Sequence, residues 1–307
     1  MTDLERGKQL YEEALNLKSE QCWVEGTHNP FYNIVKFSVI PSKAAAQLVY
    51  NAGKLGYTHA EYQLALFHFF DHAHKPPIPV GDVEGCRKRN EHCVNECKTA
   101  LAWLKHAAEN GHGGAAVAVG GLYLSGRDLF NVVPKDEAMA FRYFQMGAKN
   151  NADAMYWVAS CYDKGNGIPQ DERKAFMWYE RAANGGSMMA WYHMGSCYYR
   201  GEGTTQNIPK AIEAFQRSVA FDKADIGPGP EMAKYYLALI YMGAEGFEYV
   251  NFPKAKELLN SVNKEESGVF YDMARDLLAD MPDAQAAYQQ WERQTKKKKG
   301  FFGSLFG

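Results

Sequence analysis

The sequence predicts an all-α fold, a right-handed α/α solenoid of helix-pair repeats. The first observation is a spacing in which an Ala is followed by a hydrophobic residue at offset 4, a small residue at offset 5 and a ring at offset 8. Five copies of this spacing start at Ala60, Ala115, Ala154, Ala190 and Ala233. The starts lie 55, 39, 36 and 43 residues apart, which indicates a repeated unit with insertions.

A second spacing lies between these copies and marks the second helix of each pair. Apolar and small residues recur at offsets 0, 3, 4, 7 and 8, which together form one stripe along an α-helix. The copies start at Ala100, Ala140, Ala175, Ala211 and Ala255. Four residues before the last four starts stand Asp136, Asp171, Asn207 and Asn251. Asp and Asn are favoured N-cap residues, so each unit is predicted to be two antiparallel helices.

The residues between the two helices predict turns. Gly126, Gly165 and Gly201 follow the ring of the first helix, where a helix C-terminus needs a residue that tolerates positive φ. The small residues at offset 5 are Gly120, Ala159, Gly195 and Ala238. We expect them to leave room for the backbone of a neighbouring helix.

Two segments resemble a known repeat. Residues 165–185 read GNGIPQDERKAFMWYERAANG, and residues 190–203 read AWYHMGSCYYRGEG. Both resemble the Sel1-like repeat, an α/α unit related to the tetratricopeptide repeat. The resemblance implies a protein-interaction scaffold without naming the partner, and it implies that the first helix of each pair lines the concave side of the solenoid.

The segments are predicted in the following order along the chain. They are an N-terminal capping helix and irregular segment at 1–43, a degenerate repeat at 44–70, a Cys/His/Pro insert at 71–96, Sel1-like repeats at 97–260, C-terminal capping helices at 261–294 and a Lys/Phe tail at 295–307. One continuous solenoid is favoured over two independent domains.

Composition and motifs narrow the class of function. The net charge of -2 and the pI near 6.5 argue against a nucleic-acid partner, which usually needs a basic face. No window approaches the apolar length of a transmembrane helix, and the first residues do not read as a secretory signal, so a cytoplasmic protein is expected. The sequence contains no GxSxG, HExxH or GxxxxGK[ST] motif, and the chain is predicted not to be an enzyme.

The cysteines fall into two groups. Cys161 and Cys197 share a repeat position with Leu122 and Ile240, which predicts buried apolar fillers and no disulfide between them. In the insert, Cys93 and Cys97 would share a helix face, and Cys86 could reach them from a preceding loop. With His92, these three cysteines could form a zinc site, which is the one cofactor considered. A disulfide and plain packing of the thiols are the alternatives.

The concave side is the expected surface for a protein partner. Side chains on the first helices that the core spacing does not require are Met155, Asp163, Trp191, Tyr199, Lys234 and Met242, together with Phe69 and Leu124. Trp191 and Tyr199 are the strongest candidates, because no requirement of the repeat explains both. A further column of rings, at Tyr62, Tyr156, Tyr192 and Tyr235, is interpreted as packing.

The insert and the tail are the other candidate functional segments. The insert contains Pro76, Pro77 and Pro79 and is interpreted either as a functional loop or as a surface flap. In the tail, four lysines at 296–299 precede Phe301, Phe302 and Phe306. The first interpretation is that these phenylalanines dock in a partner. The second is that the tail packs on the chain itself or is disordered. The third is weak contact of the tail with an anionic membrane.

These observations lead to three functional hypotheses. The first is a cytoplasmic, non-enzymatic scaffold or adaptor that binds a protein or peptide on its concave face. The second is an immunity or accessory protein that binds a secreted bacterial toxin. The third is a metal-dependent enzyme at the Cys/His insert.

Overall fold

The computed structural model describes residues 2–16, 43–70, 83–126, 133–220, 229–262 and 268–305. Its contacts divide the chain into two compact units, Met1–Ser187 and Met188–Gly307. The first unit contains α1 (Asp3–Asn16), α2 (Lys43–Lys54), α3 (Thr58–Phe70), α4 (Val83–Glu109), α5 (Gly113–Ser125), α6 (Glu137–Gly147), α7 (Ala152–Lys164) and α8 (Glu172–Asn184). The second unit contains α9 (Met188–Arg200), α10 (Ile208–Ala220), α11 (Gly229–Tyr241), α12 (Phe252–Asn260) and α13 (Gly268–Leu305), with a 3₁₀ turn at Phe247–Tyr249.

The predicted all-α fold is confirmed, since the described ranges contain helices and no strand. Consecutive helices pack as pairs, and the first helices of successive pairs also contact one another within each unit, as α5 contacts α7 and α9 contacts α11. The boundary between the two units falls inside the stretch 97–260, for which a continuous solenoid is expected. The segment boundaries drawn from the sequence stay predictions.

A repeated set of hydrogen bonds joins the two helices of a pair. Asp171 donates its amide N–H to the carbonyl of Tyr162 at 2.9 Å, and its side chain accepts from the amide of Lys174 at 3.0 Å. The Lys174 ammonium lies 5.5 Å from the centre of the Tyr162 ring. The same three contacts recur in the second unit at Tyr198, Asn207 and Lys210, and at Tyr241, Asn251 and Lys254. The predicted N-caps therefore also bond to the backbone of the helix before them, and the lysine three residues later contacts the ring of that helix.

The small residues at offset 5 leave room for a side chain of the second helix. The sequence suggested that they leave room for a helix backbone. A methyl group added at Gly195 would lie 2.6 Å from the Phe215 ring of α10, and one added at Gly120 would overlap the Phe144 ring of α6. Phe144 and Phe215 are both fully buried. A phenyl ring of the second helix thus fills the space that the glycine leaves.

The last helix differs from the prediction of separate capping helices followed by a tail. The single helix α13 passes through Pro282 and continues to Leu305. Pro282 is exposed, so the backbone hydrogen bond that proline cannot make is lost at a hydrated position. Ala, Gln, Glu, Arg and Lys dominate the residues that follow, and these are strong helix formers.

The N-cap of α5 is a histidine, and this predicts acid sensitivity. His112 Nδ1 accepts the amide N–H of Ala115 at 3.0 Å. Burial and, second, the charge of His59 lower the pKa of His112 from 6.5 to about 4. Between these two values the unfolded chain binds more protons than the folded chain, so stability falls as the pH falls through that window. We expect a loss of about 1 to 2 kcal/mol, because the ring is only partly shielded from solvent.

The chain offers a matched control for this prediction. Asn151 occupies the same position before α7, and its side chain accepts from Ala154 N at 2.9 Å. The variant His112→Asn should therefore keep the cap and lose much of the acid sensitivity. Denaturant unfolding of the native chain and the variant at neutral and acidic pH measures this difference. An unchanged pH dependence in the variant would contradict the assignment.

Candidate functional site

One column of candidate residues lies one position after the opening Ala of each first helix, and two of its members contact the second helix of their own repeat. Trp191, one residue after Ala190, lies under the Arg217 guanidinium of α10 at 4.7 Å from the ring centre. Lys234 holds the equivalent position in α11, and its Nζ lies 3.3 Å from the carbonyl oxygen of Ser261 at the end of α12. Met155 at this position in α7 is partly buried against the core of its unit. Trp191 and Lys234 therefore contact the second helix of their own repeat, while Trp191 and Met155 stay partly exposed and their binding role stays a prediction.

In the first repeat, the residue at the same position also contacts the second helix. Glu61 on α3 is 1% exposed, and its Oε1 lies 2.7 Å from His106 Nδ1 on α4. Burial raises the pKa of the Glu61 carboxyl, while the charge of His106 and its hydrogen bond act in the opposite direction. His106, Arg217 and Ser261 hold equivalent positions on their helices, so one pair of positions forms this contact in three repeats.

Two of the predicted binding residues are interior, which corrects their assignment to a surface. Lys234 is 3% exposed, and its Nζ lies 2.7 Å from Oε1 of the equally buried Glu231, one turn earlier on α11. Met242 is 6% exposed and belongs to the core of the second unit. A partner could contact neither side chain without opening the unit.

Asp163 and Leu124 are partly buried and have contacts inside the first unit. Asp163 Oδ2 accepts a hydrogen bond from the Tyr179 hydroxyl of α8 at 3.3 Å. Leu124 packs against the core around Phe144. The side chain of Phe69 lies outside the described residues.

Tyr199 faces the neighbouring first helix, unlike Trp191. Its ring meets the ring of Tyr236 on α11 edge-on, with 5.5 Å between ring centres. Arg200 Nη2 donates to the Tyr236 hydroxyl at 2.9 Å, and the guanidinium lies 6.0 Å from the centre of that ring. Tyr235 contacts Tyr236 at 5.7 Å between ring centres. We call Tyr199, Arg200, Tyr235 and Tyr236 the Tyr–Arg surface.

A buried ring supports this surface from below. Tyr236 stacks on Phe215, which is fully buried, with 5.6 Å between ring centres and 10° between the ring planes. Burial, followed by the hydrogen bond and charge of Glu245, raises the pKa of Tyr199. Arg200 is about half exposed and also lies 3.5 Å from Glu202. The surface thus presents rings, hydroxyls and one partly hydrated guanidinium.

The sequence identified only part of this surface. Tyr156 and Tyr192 are buried, as the packing interpretation of their column predicts, whereas Tyr235 of the same column is partly exposed. Neither Tyr236 nor Arg200 is among the binding residues predicted from the sequence. The available signals were the Tyr235–Tyr236 doublet and the position of Arg200 directly after Tyr199.

The cysteines of the repeats lie where the spacing predicts. Cys161 and Cys197 are 1% and 6% exposed, and burial raises the pKa of the Cys161 thiol to about 12. Thiols of this kind act as apolar fillers. Cys97 on α4 is also buried.

The zinc site stays a prediction, but the position of Cys86 on α4 restricts which ligands could share one zinc ion. The side chains of Cys86, His92 and Cys93 lie outside the described residues, and among the described side chains no group of three metal ligands is found. Because α4 starts at Val83, Cys86 belongs to the helix and not to a preceding loop. Along a straight helix, Cys86 and Cys97 are about 16 Å apart, so one zinc ion could bind both only if the helix opened.

Other candidates lie beyond what the structure describes. Residues 71–82 of the insert and Phe306 are outside the described ranges, as are the side chains of Phe301 and Phe302. Across the described residues, none of the helices combines the length and the apolar character needed to cross a membrane.

Comparison with known proteins identifies the repeat. The Sel1 repeat family model matches residues 97–112, 114–151, 152–187, 189–218 and 231–261. Each of the last four stretches covers one of the helix pairs described above. A curated relative, chitin synthase regulatory factor 3 of Schizosaccharomyces pombe, is 33% identical over 95 residues, which are 31% of this chain and 10% of that protein. This chain therefore spans only a tenth of the length of that relative.

A solved structure shows the same fold, and a second one is reported beside it. A Sel1 repeat protein from Oxalobacter formigenes superposes with a TM-score of 0.55 at 22% identity, covering 72% of this chain and 79% of that one. A protective antigen of uropathogenic Escherichia coli with an SLR fold gives a TM-score of 0.48 at 18% identity, over 95% of this chain and 64% of that one. With the five matched stretches and their helix pairs, the chain belongs to the Sel1 repeat family.

Proposed function

We propose that this chain is a non-enzymatic scaffold whose second unit binds a protein or peptide partner through the Tyr–Arg surface. Sel1 repeats commonly form protein-interaction scaffolds. The observation that carries the proposal is the contact between Tyr199, Arg200 and Tyr236, which joins two successive repeats at the side chains that the core leaves partly exposed.

The residue types support this role. Tyr and Arg are enriched among the residues that contribute most to protein–protein binding, because both combine apolar area with hydrogen-bonding groups. The Tyr236 ring is held by Phe215 beneath it, and Arg200 is held by the Tyr236 hydroxyl. Side chains that are already ordered lose little conformational entropy when a partner binds.

The test compares two arginines that each lie over an aromatic ring. Arg200→Ala and Tyr199→Ala should each weaken binding of a captured and purified partner by about tenfold or more, which corresponds to about 1.4 kcal/mol. The matched control is Arg181→Ala, because the Arg181 guanidinium lies 4.9 Å from the centre of the Trp178 ring in the first unit. Titration calorimetry of the native chain and the three variants supplies the affinities.

Two outcomes of this comparison would contradict the proposal. Equal affinities for the native chain, Arg200→Ala and Tyr199→Ala would show that the Tyr–Arg surface does not bind this partner. Equal losses in all three variants would indicate a general effect of removing a stacked side chain. The cytoplasmic location and the toxin-binding hypothesis stay predictions, and the identity of the captured partner bears directly on the second of these.

A further inference from the structure

Aromatic side chains cluster at the point where α13 passes the 3₁₀ turn. Phe247 of the turn lies 5.6 Å from Tyr288 and 5.2 Å from Trp291 of α13, between ring centres. Phe252 at the start of α12 lies 5.9 Å from Tyr288. Trp291 is 40% exposed, a large fraction for a side chain of this size. We call these four residues the α13 aromatic cluster.

The helix then leads directly from this cluster into a basic segment. The backbone of α13 continues to Leu305, and four lysines occupy positions 296–299, starting five residues after Trp291. Phe301, Phe302 and Leu305 follow these lysines in the sequence. Aromatic and basic residues thus follow one another along one continuous helix.

Charge is separated along the same helix. The part before the cluster contains Asp272, Asp276, Asp280 and Asp283, all exposed. Arg275 lies 3.1 Å from Asp272 and 3.3 Å from Asp276. One arginine offsets only one of the four aspartates, so the net charge of this part is negative. An anionic surface would therefore repel the first part of α13 and attract the part that contains the lysines.

We propose that the α13 aromatic cluster and the following lysines bind an anionic lipid surface. Trp and Tyr favour the boundary between headgroups and acyl chains, because their rings are apolar and their N–H and O–H groups stay hydrated. Each lysine near an anionic bilayer contributes about fivefold in affinity. Stable binding of this kind needs two signals, and the helix supplies both.

A lipid surface fits this arrangement better than an acidic protein does. Four consecutive helical positions are spread around most of the helix circumference, so they present no single face to a protein groove. A plane of charged headgroups does not require one face, because lysine side chains are in general long and flexible. The helix would lie at the surface of the bilayer and not cross it.

Co-sedimentation with vesicles tests the proposal on the full chain. The native chain should bind vesicles of phosphatidylcholine and phosphatidylserine in equal parts, should bind pure phosphatidylcholine much more weakly, and should lose binding as salt is added. Replacing the four lysines at 296–299 with glutamine should weaken binding at least about tenfold. Trp291→Ala should weaken it severalfold, and Trp291→Phe should restore most of the loss.

A matched variant separates this effect from total charge. Lys8, Lys98, Lys149 and Lys164 are exposed lysines of the first unit, and their replacement with glutamine changes the net charge by the same amount. This variant should bind the mixed vesicles like the native chain. No binding by the native chain, or an equal loss in both quadruple variants, would overturn the proposal. Binding to immobilised polyglutamate but not to the vesicles would also overturn it and would assign the lysines to an acidic protein.

Discussion

Replacing Gly167 with alanine is expected to destabilise the first unit by about 4 kcal/mol. Gly167 has φ of +72°, where an L side chain costs about 1 to 2 kcal/mol. An alanine methyl group would also overlap the carbonyl of Glu137 and lie 2.8 Å from the nitrogen of Ala138, at the start of α6. Because both contacts are with backbone, no side chain can rotate away, and overpacking of this kind adds about 1 to 3 kcal/mol.

A second glycine separates the two contributions to this loss. Gly56 has φ of +79°, and a methyl group added there would have nothing within 4 Å. Gly56→Ala should therefore cost only the backbone contribution, about 1 to 2 kcal/mol. Hydrogen exchange, resolved by peptide, measures the opening free energy of the helices next to each glycine, which are α6 and α7 for Gly167→Ala and α2 and α3 for Gly56→Ala. Similar losses at the two glycines would show that the contact between Gly167 and α6 is absent in solution.

Local rules explain why the helix pairs could be predicted from the sequence. Asp171 and Asn207 cap their helices through an amide three residues later, so the spacing alone locates these helix starts. The buried stripe follows from the helical period in the same way. The spacing also predicts the small residue at offset 5, but the neighbour of that residue, Phe215 in the case of Gly195, depends on how the second helix is rotated against the first.

The binding surface was only partly predictable, because helical spacing does not say which neighbour each side faces. Trp191 and Tyr199 are eight positions apart on α9, which is about 80° around the helix. Trp191 therefore meets α10 and Tyr199 meets α11. The bond from Arg200 to Tyr236 joins residues 36 positions apart, and neither repeat contains the pattern by itself.

Lys234 shows a different limit of sequence reasoning. A lysine outside the core stripe is usually exposed, so the sequence predicts Lys234 at the surface. The structure buries it because Glu231 supplies the opposite charge one turn earlier on the same helix. The spacing Glu-x-x-Lys was visible in the sequence and is a known helical pair, but the sequence did not indicate that α12 would cover it.

This buried pair gives the second prediction with a large expected effect. Lys234→Met should destabilise the second unit by about 3 to 5 kcal/mol, because Glu231 would lose its nearest positive charge in a site that solvent does not reach. Methionine is a suitable replacement, since Met155 occupies the equivalent position in α7. Hydrogen exchange of peptides from α11 and α12 measures the loss.

The double variant decides whether charge or packing causes that loss. Adding Glu231→Gln to Lys234→Met removes the remaining charge and keeps the shape of the side chain, so much of the stability should return. The two single losses would then sum to more than the loss of the double variant, as expected for side chains in direct contact. A double variant whose loss equals the sum would mean that Lys234 acts mainly through packing and its contact with the Ser261 carbonyl.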